Sequence, residues 1–295
     1  MAHVNDFDWA ALADLLELEG ETQGSYVRGA IGELAALPAL TPRRILDIGS
    51  GPGVAACTFA AAFPQAEVVA VDGTAELLGR AEQRADRLGV RLRTRQAEFP
   101  GQLAELGSAD LIWSGQAVHH VGDQQGALDQ LAALLEPGGV LAVVEGGLPA
   151  RTLPRDLGFG RPGLQERLDA AQAERFGRMR AELPGAVRLA EDWPAMLRAA
   201  GLTEAGSRTF LVELPAPLSD GPRRWVRGSL RRQREMLARA SEWSKDLDWP
   251  ERWITEDLAT LDRLLDPADP AGVDRRTDLF LLTAKTLHYA RRAVA

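Results

Sequence analysis

The chain has 295 residues, 45% of them hydrophobic, a formal net charge of -8 and one cysteine, Cys57. This suits one large domain, or a domain with an appendage, and a single cysteine excludes an internal disulfide or a cysteine-based zinc cluster. The acidic balance disfavours nucleic acid, whose phosphates call for a basic face. No apolar run approaches the roughly 20 residues of a membrane span, and the acidic start MAHVNDFDWAALADLL lacks the basic leader of a signal peptide. The expected protein is cytoplasmic, with no membrane or nucleic-acid partner. Lys245 and Lys285 are the two lysines among 34 basic residues, a bias that a G+C-rich genome explains.

In chain order, residues 9–37 predict two helices, with Leu12, Leu15 and Leu16 on one apolar stripe and Val27, Ile31 and Leu34 on another. Pro38 and Pro42 break the chain before the strand RILDI. Strand and helix signals then alternate. GVAACTFAAAF is a helix, with Pro52 suited to its first turn, and AEVVAVD is a buried strand. Thr74 can cap the helix AELLGRAEQRADRLG, which Gly89 closes. VRLRTRQAE alternates at period two, ADLIWSGQ is a short apolar run, and Asp123 caps QQGALDQLAALL. EPGG reads as a turn into the strand VLAVVEGG. Such alternation argues for a parallel sheet with helices on both faces.

The second half differs. Residues 147–163 are rich in Gly, Pro and Arg and predict a long loop. LQERLDAAQAERFGRMRAEL and AEDWPAMLRAAG predict helices, SRTFLVEL a strand, residues 223–265 mostly helix and DLFLLTAKTL a closing strand. Trp225, Trp243, Trp249 and Trp253 are spread through the helical stretch.

The chemistry concentrates after the first strand, in RILDIGSGPG. A dinucleotide loop is G-x-G-x-x-G, resting a pyrophosphate on a helix N-terminus. Here Gly49, Gly51 and Gly53 give G-x-G-x-G, and no P-loop lysine follows. Asp47 beside the glycines disfavours a pyrophosphate and favours an ammonium group. Asp72, ending the next strand, can accept hydrogen bonds from ribose hydroxyls or cap the following helix. A ligand with a ribose, a positive charge and no phosphate meets these requirements, as S-adenosyl-L-methionine does.

ILDIGSGPG followed by VVAVDGT resembles the first two motifs of class I S-adenosylmethionine-dependent methyltransferases. DLIWSGQAVHHV followed by LLEPGGVLAVVEG resembles their fourth- and fifth-strand segments. The resemblance covers residues 43–146. It implies an α/β Rossmann-like fold: a seven-stranded, mostly parallel sheet whose antiparallel last strand lies beside the sixth. SRTFLVEL and DLFLLTAKTL would be those two strands, and the helices between them an insertion serving as a lid or an oligomer surface, such as that of a homodimer. The expected parts are an N-terminal helical cap (1–42), the core (43–215), the helical insertion (216–275) and the final strand with the C-terminus (276–295).

The resemblance assigns cofactor contacts to Asp47, Gly49, Ser50, Gly51, Gly53, Asp72 and Gly73. Glu98, after the third strand, is open between an adenine contact and a solvated acid, since QAEF departs from the usual Asp-apolar pair. Ser114 and Gln116 follow the fourth strand, where the methionine end should lie; Gln116 is open between a ligand contact and a loop tie. His119 and His120 point in different directions, so one suits a general base near neutral pH while the other is structural; His120 is preferred. They lack a third ligand nearby, so no metal is expected. Glu145, ending the fifth strand, can orient substrate or a histidine. Arg151, Arg155 and Arg161 either clamp a substrate carboxylate or line a solvated loop. Tyr26 and the tryptophans line a pocket or the core.

The expected function is methyl transfer to an O, N or C nucleophile of a small molecule in secondary metabolism. The rivals are a non-methylating S-adenosylmethionine-binding protein, a nicotinamide-dependent oxidoreductase, and an RNA or protein methyltransferase.

Overall fold

The computed structural model describes residues 8–239 and 251–294. Trp243 and Trp249, and with them part of the expected helical insertion, lie outside the described residues.

Among the described residues seven strands form one sheet in the order β3-β2-β1-β4-β5-β7-β6. The strands are β1 (Arg44–Ile48), β2 (Glu67–Asp72), β3 (Arg93–Gln96), β4 (Ala109–Gly115), β5 (Leu135–Arg151), β6 (Thr203–Leu214) and β7 (Leu281–Arg291). The pairs β1–β2, β1–β4, β2–β3 and β4–β5 are parallel. β7 is antiparallel to β5: Gly138 N–H donates to Arg292 O, Arg292 N–H to Gly139 O, and Phe280 N–H to Thr152 O. Its side chains run antiparallel to β6 too, Ser207 facing His288 and Thr209 facing Thr286. The expected strand arrangement is therefore present, with β7 inserted between β5 and β6.

Strand periodicity sorts the core into two layers. On one face Leu46, Ile48, Ile112, Leu141 and Val143 pack with Leu128 and Leu131 of α5 (Gln124–Ala133) and Met196 and Leu197 of α7 (Trp193–Ala199). On the other, Ile45, Val68, Leu111, Trp113 and Val144 meet three helices. These are α2 (Ser25–Ala35), α3 (Val54–Ala62) and α4 (Ala75–Leu88). α4 ends at Gly89, whose φ of 65° is the left-handed geometry of a helix stop. α1 (Ala13–Gln23) departs from the predicted leucine stripe: its buried residues are Ala13 and Gln23.

Three local expectations need correction. EPGG is not a turn into β5 but part of it, and the strand continues to Arg151, through the first five residues of what the sequence presents as loop. β7 pairs with EPGG through Arg292, while the register to β4 shifts between Ala109 and Leu111 and Gly138 takes a φ of 81°, so the glycines form an irregularity inside the strand. β3 is only four residues long. Thr74 occupies the N-cap of α4 without a side-chain cap bond; its own N–H donates to Asp72 Oδ1 instead.

The chain separates into two compact units, one of Met1–Gly147, Arg180–Leu211 and Ala284–Ala295, the other of Leu148–Met179 and Val212–Thr283. The second unit joins the expected insertion to residues 148–179, which the sequence assigns to the core. It contains α8 (Asp220–Ala238) and α9 (Glu251–Leu265), tied by Arg234 to Asp262. Asp257, 3% exposed, is paired with Arg167 in the same unit.

Asp123 caps α5 as expected, its Oδ1 accepting the Gly126 N–H at 2.9 Å. Asp123→Ala should cost about 1 kcal/mol of stability, seen as a lower denaturant midpoint at unchanged slope.

Candidate functional site

The candidate site lies where β1, β2 and β4 end and β5 runs past its pairing with β4 at Val144 and Glu145, within the first unit. After β1 the backbone enters the left-handed region at Gly49, Gly51 and Gly53. Their surroundings differ. A Cβ on Gly49 would lie 2.6 Å from Ala117 Cβ, and one on Gly53 would lie 2.5 Å from Ala81 Cβ. Those two glycines let neighbouring elements approach. Gly51 has a φ of +53° and nothing within 4 Å of its Cβ position. It presents bare backbone to open space, as a ligand cradle requires.

Asp47 lies beneath this loop, 1% exposed. The Ala56 N–H bonds to its carboxylate, and Oδ2 has no partner. Burial above all, with the charge of Asp72 adding, lifts its pKa to about 7 against the opposing Ala56 bond. The hydroxyl of Ser50 is likewise buried without a partner. Asp72 uses both oxygens on backbone: Oδ2 accepts the Gly51 N–H and Oδ1 the Thr74 N–H, each at 2.9 Å. It thereby sets the loop's shape, while a carboxylate retains further lone pairs for a ligand. Glu98 stands over Gly73, its carboxyl oxygens 3.0 and 3.1 Å from where a Cβ would be. Asp47, the glycine loop, Asp72, Gly73 and Glu98 thus form one continuous edge.

Ser114 is different. Its side chain is fully buried and its hydroxyl donates to Ile48 O at 3.2 Å, a strut between β4 and β1 rather than a ligand contact. Gln116 takes a φ of 56° and donates its N–H to Val144 O, which turns the chain after β4.

The two histidines have separate settings. His119 Nδ1 is 2.6 Å from Glu145 Oε2, and the His119 N–H donates to Glu145 Oε1 at 3.3 Å. Glu145 does not end β5, as the sequence suggests, but lies within it, just past its pairing with β4, and is 3% exposed, so a buried carboxylate fixes this imidazole. His120 meets the Trp9 ring edge-on, with centroids 5.1 Å apart. It lines a cleft of about 310 Å³ together with Phe99, Val121, Gly122 and Leu183. The sequence prefers His120 as the base; the structure gives the buried carboxylate partner to His119. Arg180, unforeseen from sequence, donates to the carbonyls of His119 (2.9 Å) and Val121 and holds this turn.

Tyr26 is half-buried beside the cluster of α2 and α3. Burial first, then Glu19, Asp47 and Glu145, raise its phenol pKa. Arg151 belongs to the second unit, where it is paired with Asp169; Arg161 is paired there with Asp257 and lies over the Trp253 ring.

A sheet of this order, with a glycine cradle over one acid and a second acid closing β2, defines a methyltransferase-type Rossmann fold. Residues 45–139 match the model of a methyltransferase domain. A trans-aconitate 2-methyltransferase of Methylobacterium nodulans is 31% identical over 227 residues, 75% of this chain and 79% of that protein. A release factor glutamine methyltransferase of Bordetella pertussis is 33% identical over 179 residues, 57% of each chain. This chain spans less than two thirds of several curated relatives, 58% of the trans-aconitate 2-methyltransferase of Methylobacterium radiotolerans, which is 35% identical over 52% of this chain. Among solved structures, a Bacillus halodurans C-125 protein assigned as a methyltransferase shares the fold with a TM-score of 0.51 at 18% identity, over 90% of this chain and 99% of that one. The chain belongs to the class I S-adenosylmethionine-dependent methyltransferases.

The raised pKa of Asp47 has a definite sign. Between about pH 4 and 7 the native protein holds a proton that the unfolded chain has released, so ligand-free stability falls as pH rises through that window. Asp47→Asn removes this loss. In ligand-free thermal melts its advantage over the wild type should grow from pH 4 to pH 7 and then level off; a constant difference would contradict the assignment.

Proposed function

We propose that the protein methylates a small molecule at the carboxyl edge of its sheet, with S-adenosyl-L-methionine as methyl donor. The observation that carries this reading is the His119–Glu145 pair, standing beyond the end of β4 and on β5 beside it, next to the cradle over Asp47. The residues fit the donor. Its ammonium group answers the unpartnered Oδ2 of Asp47, its backbone-facing portion fits over Gly51, and its ribose reaches the remaining lone pairs of Asp72. Glu98 and the cleft beside Phe99 and His120 then stand where the adenine continues.

When bound, S-adenosylmethionine supplies a methyl group on a positively charged sulfur, which an in-line nucleophile takes while the bonding pair stays on sulfur. The chain must position that nucleophile and remove its proton. With Glu145 ionised, Nδ1 of His119 carries the ring proton and donates it to the carboxylate. The basic lone pair then lies on Nε2, the nitrogen that would accept the nucleophile's proton. Glu145 fixes the tautomer and stabilises the imidazolium that forms, without itself taking the proton.

A small-molecule acceptor is supported by the trans-aconitate relative, which the chain covers more fully than it does the release factor relative. The net charge of -8 disfavours RNA, and we place the reaction in the cytoplasm.

Gly51→Arg should fold yet lose S-adenosylhomocysteine binding in calorimetry, because its side chain would occupy the cradle. With an accepted substrate, His119→Ala should lower turnover about 10²–10⁴-fold at little changed cofactor affinity. Glu145→Gln should also lower it, since an amide donating to Nδ1 leaves the proton on Nε2. Full turnover in both variants would remove the histidine from the chemistry.

A further inference from the structure

Lys285 is one of two lysines among 34 basic residues, and Lys245 lies outside the described residues. It stands on β7, two positions before Leu287, which is buried in the layer shared with α2 and α3. The strand period puts Lys285 on that same face. Beside it β5 offers no side chain: a Cβ on Gly147, at φ +113°, would lie 2.1 Å from Ala284 O and 3.1 Å from Lys285 Cα. The strand passes close by with bare backbone, so that no β5 side chain at this position covers the lysine.

Nζ of Lys285 makes no hydrogen bond or ion pair among the described residues, although Glu19 and Glu145 act on it electrostatically. Those two acids are already engaged. Glu145 holds His119 with both oxygens, and Glu19 accepts from Gln23 Nε2 at 3.4 Å. Burial lowers the Lys285 pKa, against the pull of both carboxylates. Tyr26 shares the same two acidic neighbours, and its hydroxyl also makes no hydrogen bond among the described residues. A partly buried ammonium and a phenol, neither with a protein acceptor among the described residues, leave their hydrogen bonds open to a ligand.

Position decides which ligand. The glycine cradle follows β1 and His119 follows β4, whereas β7 is two strands beyond β4. At about 4.8 Å per strand, Lys285 lies roughly 10 Å beyond β4, on the side away from the cradle. This is the acceptor's side of the site. We propose that Lys285, assisted by Tyr26, anchors a carboxylate of the methyl acceptor, so that the substrate is a small organic acid. This rests on the methyltransferase reading above. One cation and one hydroxyl match the two oxygens of a carboxylate.

The test uses the intact protein in two calorimetric steps. S-adenosylhomocysteine is titrated first; its failure to bind would defeat the methyltransferase reading itself. The loaded protein then receives a panel of mono-, di- and tricarboxylates, trans-aconitate and citrate among them, with their methyl esters as neutral controls. At least one acid should bind and its full ester should not. Lys285→Met should weaken that acid at least tenfold, Tyr26→Phe less, with S-adenosylhomocysteine affinity unchanged. The proposal falls if no acid binds the loaded protein, if Lys285→Met binds the acid as the wild type does, or if it loses S-adenosylhomocysteine. That last result would put the lysine on the cofactor's own carboxylate. Should Lys285→Met not fold, wild-type protein with ¹³C-dimethylated lysines serves instead. Its two lysine signals should include one that moves on adding the acid, and a spectrum without such a shift overturns the proposal.

Discussion

A carboxylate buried under a glycine loop is the constraint on which the rest of the site depends. Asp47 is held at the end of β1 with one oxygen unpartnered, and keeping it ionised costs on the order of 4 kcal/mol, the equivalent of lifting a carboxyl pKa from 3.8 to about 7. A core position in a parallel sheet would ordinarily carry Val or Ile. The neighbouring strands impose this burial, since β2 and β4 flank β1 on either side. The cost is offset only when a cation arrives through the loop above. Asp72 adds to it through its charge and at the same time shapes the loop, by accepting the Gly51 N–H. Charge and backbone geometry are thus coupled at one point.

The His119 side of the edge is built on the same principle with a different outcome. Glu145 is as deeply buried as Asp47, but it is satisfied by His119, both ring and backbone. It needs no ligand and serves as a fixed support. The two acids, Asp47 on β1 and Glu145 on β5 with β4 between them, divide the edge into one end that is electrostatically incomplete and one that is preorganised. Arg180 secures the turn that carries His119 from outside the sheet.

Much of this was legible in the sequence, because the features concerned are local. Gly49, Gly51, Gly53, Asp47 and Asp72 lie at strand ends that apolar runs define, and Gly89 and Asp123 act within one helical turn. What escaped depends on partners distant in the chain. Ser114 looked like a ligand contact because it follows β4, but its hydroxyl meets the Ile48 carbonyl across 66 positions. The choice between His119 and His120 turned on Glu145, 26 residues away. The glycines of EPGG signalled a turn, while pairing with Arg292 at the end of β7 kept them in β5. Lys285 carried a signal that composition hid: a lysine where nearly every other basic residue is arginine is readable as codon bias until its strand is placed.

The central claim is that Asp47 is completed by a cationic ligand. The most direct measurement is calorimetric titration of S-adenosylhomocysteine between pH 6 and 8 in buffers of different ionisation heat, which counts the protons exchanged on binding. Asp47 should release a proton as the ammonium group binds, so release should be largest below about pH 7, fade above it, and vanish in Asp47→Asn. Binding without proton release at pH 6, or release that persists in the variant, would contradict the account.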